Sequence, residues 1–76
     1  MDKTQWVYDL MGKKHVLIHE KKQNAHIKIK VIGWVDSCDY NESRLYEACR
    51  IIGGQRVVVG QHKTLDEAKK TVEMGL

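Results

Sequence analysis

Apolar and polar residues alternate along the first part of the chain, which is typical of strands with one buried side. Two such runs cover residues 5–10 and 15–20. Residues 11–13 and 22–24 supply the turns that follow them, and Gly12 is expected to adopt a positive φ. The side chains predicted to point inward are Trp6, Tyr8, Leu10, Val16 and Ile18.

The longest alternating run covers residues 25–35 and is rich in β-branched residues, which favour strands. Regular alternation gives this strand one small apolar side and one basic side that ends in an aromatic residue. Gly33 is expected to mark a bulge or a sharp bend, and residues 36–41 are predicted to form a polar loop. The apolar side would carry Ala25, Ile27, Ile29, Val31, Gly33 and Val35, and the basic side His26, Lys28, Lys30, Ile32 and Trp34.

Residues 42–52 fit two interpretations. Leu45, Ala48, Cys49 and Ile52 have the spacing of a helical stripe, whereas the glycine pair at 53–54 is typical of a two-residue hairpin turn. We favour the hairpin, because the run Arg56-Val57-Val58-Val59 that follows predicts a partner strand.

The last element has a clear start signal. Thr64 and Glu67 have the spacing of a capping box, in which each side chain bonds the other residue's amide. A helix is therefore predicted from about residue 65 to 74. Together these elements predict an α+β fold, an antiparallel meander of four to five strands packed by one C-terminal helix, in a single domain over residues 1–76.

Size and composition narrow the class of protein. The chain of 76 residues is 42% hydrophobic and 30% charged, which is ordinary for a globular domain. No apolar run approaches the roughly 20 residues of a membrane span, and the first residues lack a signal-peptide layout. A cytoplasmic domain with no membrane contact is expected, with Cys38 and Cys49 more readily explained as free thiols than as a disulfide.

Candidate chemistry is sparse. His15 and His19 would lie about 13 Å apart on a strand, too far for one metal ion. The two cysteines lack the close spacing of zinc ligands, and Gly53-Gly54 lacks the remainder of a phosphate-binding loop. We therefore expect a binding module that is not an enzyme, with no metal and no cofactor.

Charge is unevenly distributed along the chain, although the net charge is only +3. Residues 13–30 contain six lysines and one glutamate, whereas residues 36–47 carry a net charge of −3. Lysines on a shared face can neutralise phosphates, and an exposed tryptophan can stack on a base. The alternative is that the lysines only solubilise an edge strand and that Trp34 is buried under the helix. The predicted nucleic-acid contacts on this face are Lys21, Lys22, His26, Lys28, Lys30 and Trp34.

A resemblance adds further candidates. Residues 44–73, with Gly53-Gly54-Gln55-Arg56-Val57-Val58-Val59-Gly60 and then Lys63-Thr64-Leu65-Asp66-Glu67-Ala68, resemble the sheet-plus-helix DNA-binding domains of plant ethylene-response factors and the arm-binding domains of phage integrases. In that family, arginines and aromatic residues of the sheet contact DNA. The resemblance implies such roles for Arg44, Tyr46, Arg50 and Arg56.

The function expected from the sequence is nucleic-acid binding through a basic sheet face, in the manner of a phage or mobile-element accessory protein, with DNA and RNA both open. The first alternative is an inhibitor or adaptor that binds a host protein through residues 36–47 or a sheet edge. Pairing of such edges between copies would make a homodimer. The second alternative is a structural component without its own ligand.

Overall fold

The structure is a five-stranded antiparallel sheet followed by one helix. The computed structural model describes residues 3–40 and 43–74. Each strand pairs with the next in the chain, so the strand order is β1-β2-β3-β4-β5, with β1 and β5 at the edges. This confirms the predicted meander and C-terminal helix. The elements are β1 Lys3–Asp9, β2 Lys14–Gln23, β3 His26–Tyr40, β4 Ser43–Ile52, β5 Gln55–His62 and α1 Leu65–Glu73.

The β3 strand is longer than predicted. The polar loop expected from residue 36 is wrong over residues 36–40, because this segment continues β3 and pairs with β4 as far as Tyr40 opposite Ser43. Asn41 lies outside the described residues. In the same way β2 continues through Lys22 and Gln23, which were predicted to be in a turn. Polar residues extend both strands because a neighbouring strand satisfies their backbone groups.

The two hairpin turns at the ends of β1 and β4 depend on different residues. Gly53 and Gly54 have φ values of 60° and 78°, the left-handed pair that a two-residue hairpin requires, so the helical alternative for residues 43–52 is wrong. In the first turn the positive φ belongs to Lys13, at 52°, and not to Gly12 as predicted. A Cβ at Gly12 would lie 2.6 Å from Oδ2 of Asp9, an atom at the end of a flexible side chain that can move away.

The helix begins at Leu65, directly after the predicted N-cap residue Thr64. The Glu67 amide donates to Oγ1 of Thr64 at 3.2 Å, which is one of the two expected capping bonds. The Glu67 carboxylate lies 3.7 Å from Nδ1 of His62. The helix packs across β3, β4 and β5. In the part of the chain that the structure describes, no helix is both long and apolar enough to cross a bilayer.

Side chains are buried on both sides of the sheet. We call the side that packs against α1 the helix face, and the other side the open face. The β2 segment Val16, Leu17 and Ile18 contributes to both, with Leu17 toward the helix and its two neighbours toward the open face. The helix-face core is Leu17, Val35, Ala48, Ala68 and Val72, and the open-face cluster is Val16, Ile18, Trp34 and Cys49.

A β-bulge in β3 changes which side chains share a face. Leu17 pairs with Gly33, but the next residue, Ile18, pairs with Val31, so Ile32 is an extra residue in β3. Ile32 packs against the helix-face core. The bulge expected at Gly33 is therefore confirmed. Because of the extra residue, odd-numbered side chains of β3 point to one face before the bulge and to the other face after it.

Gly33 is the position where a side chain would be least tolerated. A Cβ there would meet the backbone oxygen of Cys49 and would lie 2.8 Å from Cγ1 of Val72. We expect Gly33→Ala to lower the free energy of unfolding by about 1–3 kcal/mol, because β4 and α1 must both move. Urea unfolding measures the change. Gly60→Ala is the matched control, since its nearest atom is the flexible ring of His62 at 3.0 Å, and an equal loss in both variants would contradict the explanation.

Candidate nucleic-acid interface

Residues 21–31 form a two-stranded arm that extends beyond the rest of the sheet. Among the described residues, pairing of β1 with β2 ends at Lys3 opposite Glu20, and pairing of β4 with β3 begins at Gly33 opposite Arg50. All residues of the arm are exposed. The molecule measures 50 × 25 × 20 Å, consistent with an arm that projects from a small body.

One side of the arm is basic. Lys21 pairs directly with Lys28, His19 with Lys30, and Gln23 with His26. These side chains lie on the helix-face side of the sheet, where Thr4 of β1 contacts the His19 ring at 3.2 Å. We call Lys21, His26, Lys28 and Lys30 the basic face of the arm. Within residues 3–40 and 43–74, no ion pair joins any of these three lysines to a carboxylate.

The other side of the arm is mainly apolar. Ile27, Ile29 and Val31 are 58%, 62% and 43% exposed. Lys22 lies opposite Ile27 on this side, so it does not share the basic face with Lys21. Glu20 lies there too and accepts a 2.9 Å hydrogen bond from Nε2 of Gln5.

Trp34 is separated from the arm lysines. The bulge at Ile32 places Trp34 on the open face and the lysines of β3 on the helix face, so the prediction that they share a side is wrong. Trp34 is only 9% exposed, which leaves little ring surface for stacking on a base. The alternative that it lies under the helix is also wrong, because α1 covers the opposite face.

The surroundings of Trp34 account for its position. Its ring lies between two cations, with Nζ of Lys14 at 5.1 Å and the guanidinium carbon of Arg56 at 5.6 Å from the ring centroid. Its Nε1 donates to Oδ2 of Asp36 at 3.1 Å. Arg56, predicted from the resemblance to contact DNA, is therefore placed over an indole of its own chain.

The remaining residues implied by the resemblance do not form one patch. Arg44 and Arg50 are six positions apart on β4, about 20 Å along a strand. Arg44 binds Asp39, with Nε 3.3 Å from Oδ1, and this hydrogen bond raises the pKa of the guanidinium. Tyr46 is half-buried against the helix-face core, and Arg50 is partly buried opposite Gly33.

Sequence reasoning missed a polar cavity at the opposite end of the helix face from the arm. It has a volume of about 170 Å³ and lies between the start of α1 and strands β1 to β4. Arg44 and Tyr46 reach it from β4, but the other polar residues come from three further segments, so no local spacing could reveal them. The polar lining residues are Tyr8, Lys13, His15, Ser37, Arg44 and Tyr46.

An acidic cluster lies on the open face. One ligand-type atom each of Asp36, Glu47 and Cys49 falls within 4.8 Å of the others. Burial raises the pKa of the Cys49 thiol, and the carboxylates of Glu47 and Asp36 raise it further, which opposes the thiolate that a metal requires. Glu47 accepts a 3.2 Å hydrogen bond from Nε2 of Gln61. Both cysteines of the chain are free thiols.

Comparisons with protein-family models, curated proteins and solved structures gave no match.

The histidine of the polar cavity predicts a pH effect on stability. Burial lowers the pKa of His15 below its usual 6.5, and the ammonium of Lys69 lowers it further. As the pH falls below about 6.5 the unfolded chain binds the proton first. The contribution of His15 is therefore complete above that pH and is lost as the pH falls through the lower folded-state pKa.

We expect His15→Gln to lose less stability than the parent protein between about pH 7.5 and 5.5, as measured by urea unfolding at each pH. Lys69→Gln should also reduce the loss of stability between these pH values, but by less than His15→Gln, because burial is the larger cause of the lowered His15 pKa. Equal losses in His15→Gln and the parent would contradict this assignment.

Proposed function

We propose that the protein binds nucleic acid through the basic face of the arm. The cross-strand pair of Lys21 and Lys28 supports this most directly. Like charges directly opposite one another destabilise a sheet, and Lys30 adds a third ammonium group one pair further along the same face. An anionic ligand that lies across the arm would convert this repulsion into attraction.

The dimensions of the arm suit a duplex. Lys28 and Lys30 are two positions apart on one strand, about 7 Å, and Lys21 is about 5 Å from Lys28 across the strands. The major groove of B-DNA, about 12 Å wide, admits a two-stranded ribbon. The major groove of A-form RNA is too narrow for side chains to read, so the proposal favours DNA.

Little sequence specificity is expected. Lysine ammonium groups act as point charges on phosphates and lack the planar fork with which arginine reads a guanine edge. Contacts of this kind position a protein on the backbone and carry no sequence information. The arm would therefore bind many sequences with similar affinity.

A salt titration tests the proposal. If three lysines neutralise phosphates, the logarithm of the binding constant should fall with the logarithm of salt concentration with a slope of about −3. Replacing Lys28 and Lys30 by Gln should reduce that slope by about 2, and replacing both by Glu should abolish binding. Fluorescence anisotropy with a labelled DNA duplex and the matching RNA duplex measures both quantities.

The control is the pair Lys63→Gln and Lys70→Gln, which removes the same charge from two exposed positions away from the arm. It should leave the affinity within about twofold of the parent value. Absence of binding to either duplex at about 20 mM salt would overturn the proposal, as would equal losses in the control and in the arm variant.

The open face favours protein binding as a second candidate function. The exposed ridge of Ile27, Ile29 and Val31 continues into a largely apolar groove of about 400 Å³ that Val7 and Trp34 help to line. Exposed apolar surfaces of this kind commonly mark protein contacts. Ridge and groove belong to one chain, so a two-fold dimer in which each arm fills the other copy's groove would be self-complementary.

Charges at this surface agree with such a dimer. Lys22 lies on the apolar side of the arm, and Asp9 lines the groove. This arrangement uses the sheet face, whereas the sequence had indicated pairing between sheet edges.

Sedimentation velocity over a range of concentrations tests the second candidate. The parent protein should form a dimer, and Ile27→Lys with Ile29→Lys should shift the protein toward monomer, because charged groups would then lie in the contact. Lys28→Gln with Lys30→Gln, on the other side of the arm, should leave the dimer intact. A parent protein that is monomeric throughout would exclude self-association.

A further inference from the structure

The polar cavity on the helix face has a lining that is rich in hydrogen-bond donors. Lys13 and Arg44 contribute cations, and Tyr8, Tyr46 and Ser37 contribute hydroxyls. Among residues 3–40 and 43–74, none of those that line it is acidic. A concave site with a few convergent polar groups is the usual form of a small-ligand site, and this set of donors suits a ligand that carries acceptors and negative charge.

Arg44 keeps donors for a ligand although it binds Asp39. The contact with Asp39 uses Nε, 3.3 Å from Oδ1, and the guanidinium also donates to Tyr46. A guanidinium has five N–H groups in all, so others remain. Both side chains of this ion pair are more than half exposed, at 63% and 77%, so solvent weakens the pair. A ligand in the cavity can therefore compete for the guanidinium.

Lys13 lines the cavity from a position with an unusual backbone conformation. Its φ of 52° is a left-handed conformation, which is uncommon outside glycine. The residue lies in the turn between β1 and β2, so its ammonium reaches the cavity from a different element than Arg44, which is on β4. The two cations that line the cavity thus come from a turn and from a strand.

We propose that this cavity binds the phosphate group of a phosphate monoester. A volume of about 170 Å³ leaves room for a tetrahedral oxyanion. A phosphate monoester carries a charge of about −1.5 to −2 at pH 7, and Lys13 with Arg44 balances it. Hydroxyls supply further donors to the phosphate oxygens.

The site is separate from the arm. Lys13 and Lys21 are eight positions apart along the chain, about 26 Å if extended, and the cavity lies at the other end of the sheet. The phosphate could belong to a small molecule or to the terminus of a nucleic acid. The proposal does not rest on the arm's function, and its test uses different residues and a different ligand.

His15 serves as the reporter of occupancy. Its ring makes an edge contact with Tyr8, with centroids 4.8 Å apart, and it lines the cavity with Lys13 and Arg44. Lys69 of α1 is the charged group that acts on it from the helix. A bound dianion beside the ring favours the imidazolium, so occupancy should raise the pKa of His15.

The experiment is a titration of the full chain with inorganic phosphate, followed by NMR of the His15 ring and the Arg44 Nε–H. We expect saturable shifts by about 20 mM phosphate and an upward movement of the His15 titration midpoint, with chloride at equal ionic strength as the reference. Lys13→Gln with Arg44→Gln should weaken binding at least about tenfold. The arm variant Lys28→Gln with Lys30→Gln should bind phosphate as the parent does.

Two further probes identify the source of the phosphate. A nucleoside 5′-monophosphate and a short 5′-phosphorylated oligonucleotide are each compared with the same molecule lacking the phosphate. Tighter binding of either phosphorylated probe than of inorganic phosphate assigns the ligand class. The proposal would be overturned by shifts that do not saturate, or by shifts that persist unchanged in Lys13→Gln with Arg44→Gln. This outcome is independent of whether the arm binds nucleic acid.

Discussion

At Gly33 the strand β3 lies in close contact with both β4 and α1. A Cβ at this position would collide with the backbone oxygen of Cys49 on one side and with Val72 of the helix on the other, so the contact exists only because the residue is glycine. The extra residue Ile32 directly precedes it, and both face the helix. That local arrangement sets the phase of alternation for the whole arm and thereby decides which side of the molecule carries its lysines.

The sequence was most informative where structure is determined locally. The Thr64 cap, the Gly53-Gly54 turn and the alternation within β1 and β2 all correspond to elements of the structure. The sequence was least informative where pairing with a neighbouring strand determines the conformation. Residues 36–40 are polar, yet they are extended because β4 lies beside them.

The site could be predicted in composition but not in arrangement. The lysines at 28 and 30 share a side, as period-2 alternation requires, and Trp34 would have joined them in a regular strand. The extra residue in β3 places Trp34 on the opposite face from the lysines. A glycine indicates that a bulge is present but not which residue is the extra one. The cavity lined by Tyr8, Lys13 and Ser37 is assembled from separate segments, so it has no signature in sequence spacing.

The arm exposes two surfaces that are unfavourable for a monomer in water. A two-stranded hairpin is marginally stable by itself, and this one has ammonium groups facing each other on one side and isoleucines on the other. Under the proposed functions, an anion would occupy the first side and an apolar protein surface the second. The two sides can be used at the same time because they face opposite directions.

The strictly sequential strand order also affects how the chain reaches its fold. Every strand pairs with its immediate neighbour in the chain, so each successive hairpin closes a loop of only a few residues at a small entropic cost. Only α1 must then dock across several strands, from β3 to β5. A topology with such short loop closures is expected to fold quickly for a sheet protein, with helix docking as the step that joins the hairpins into one cooperative unit.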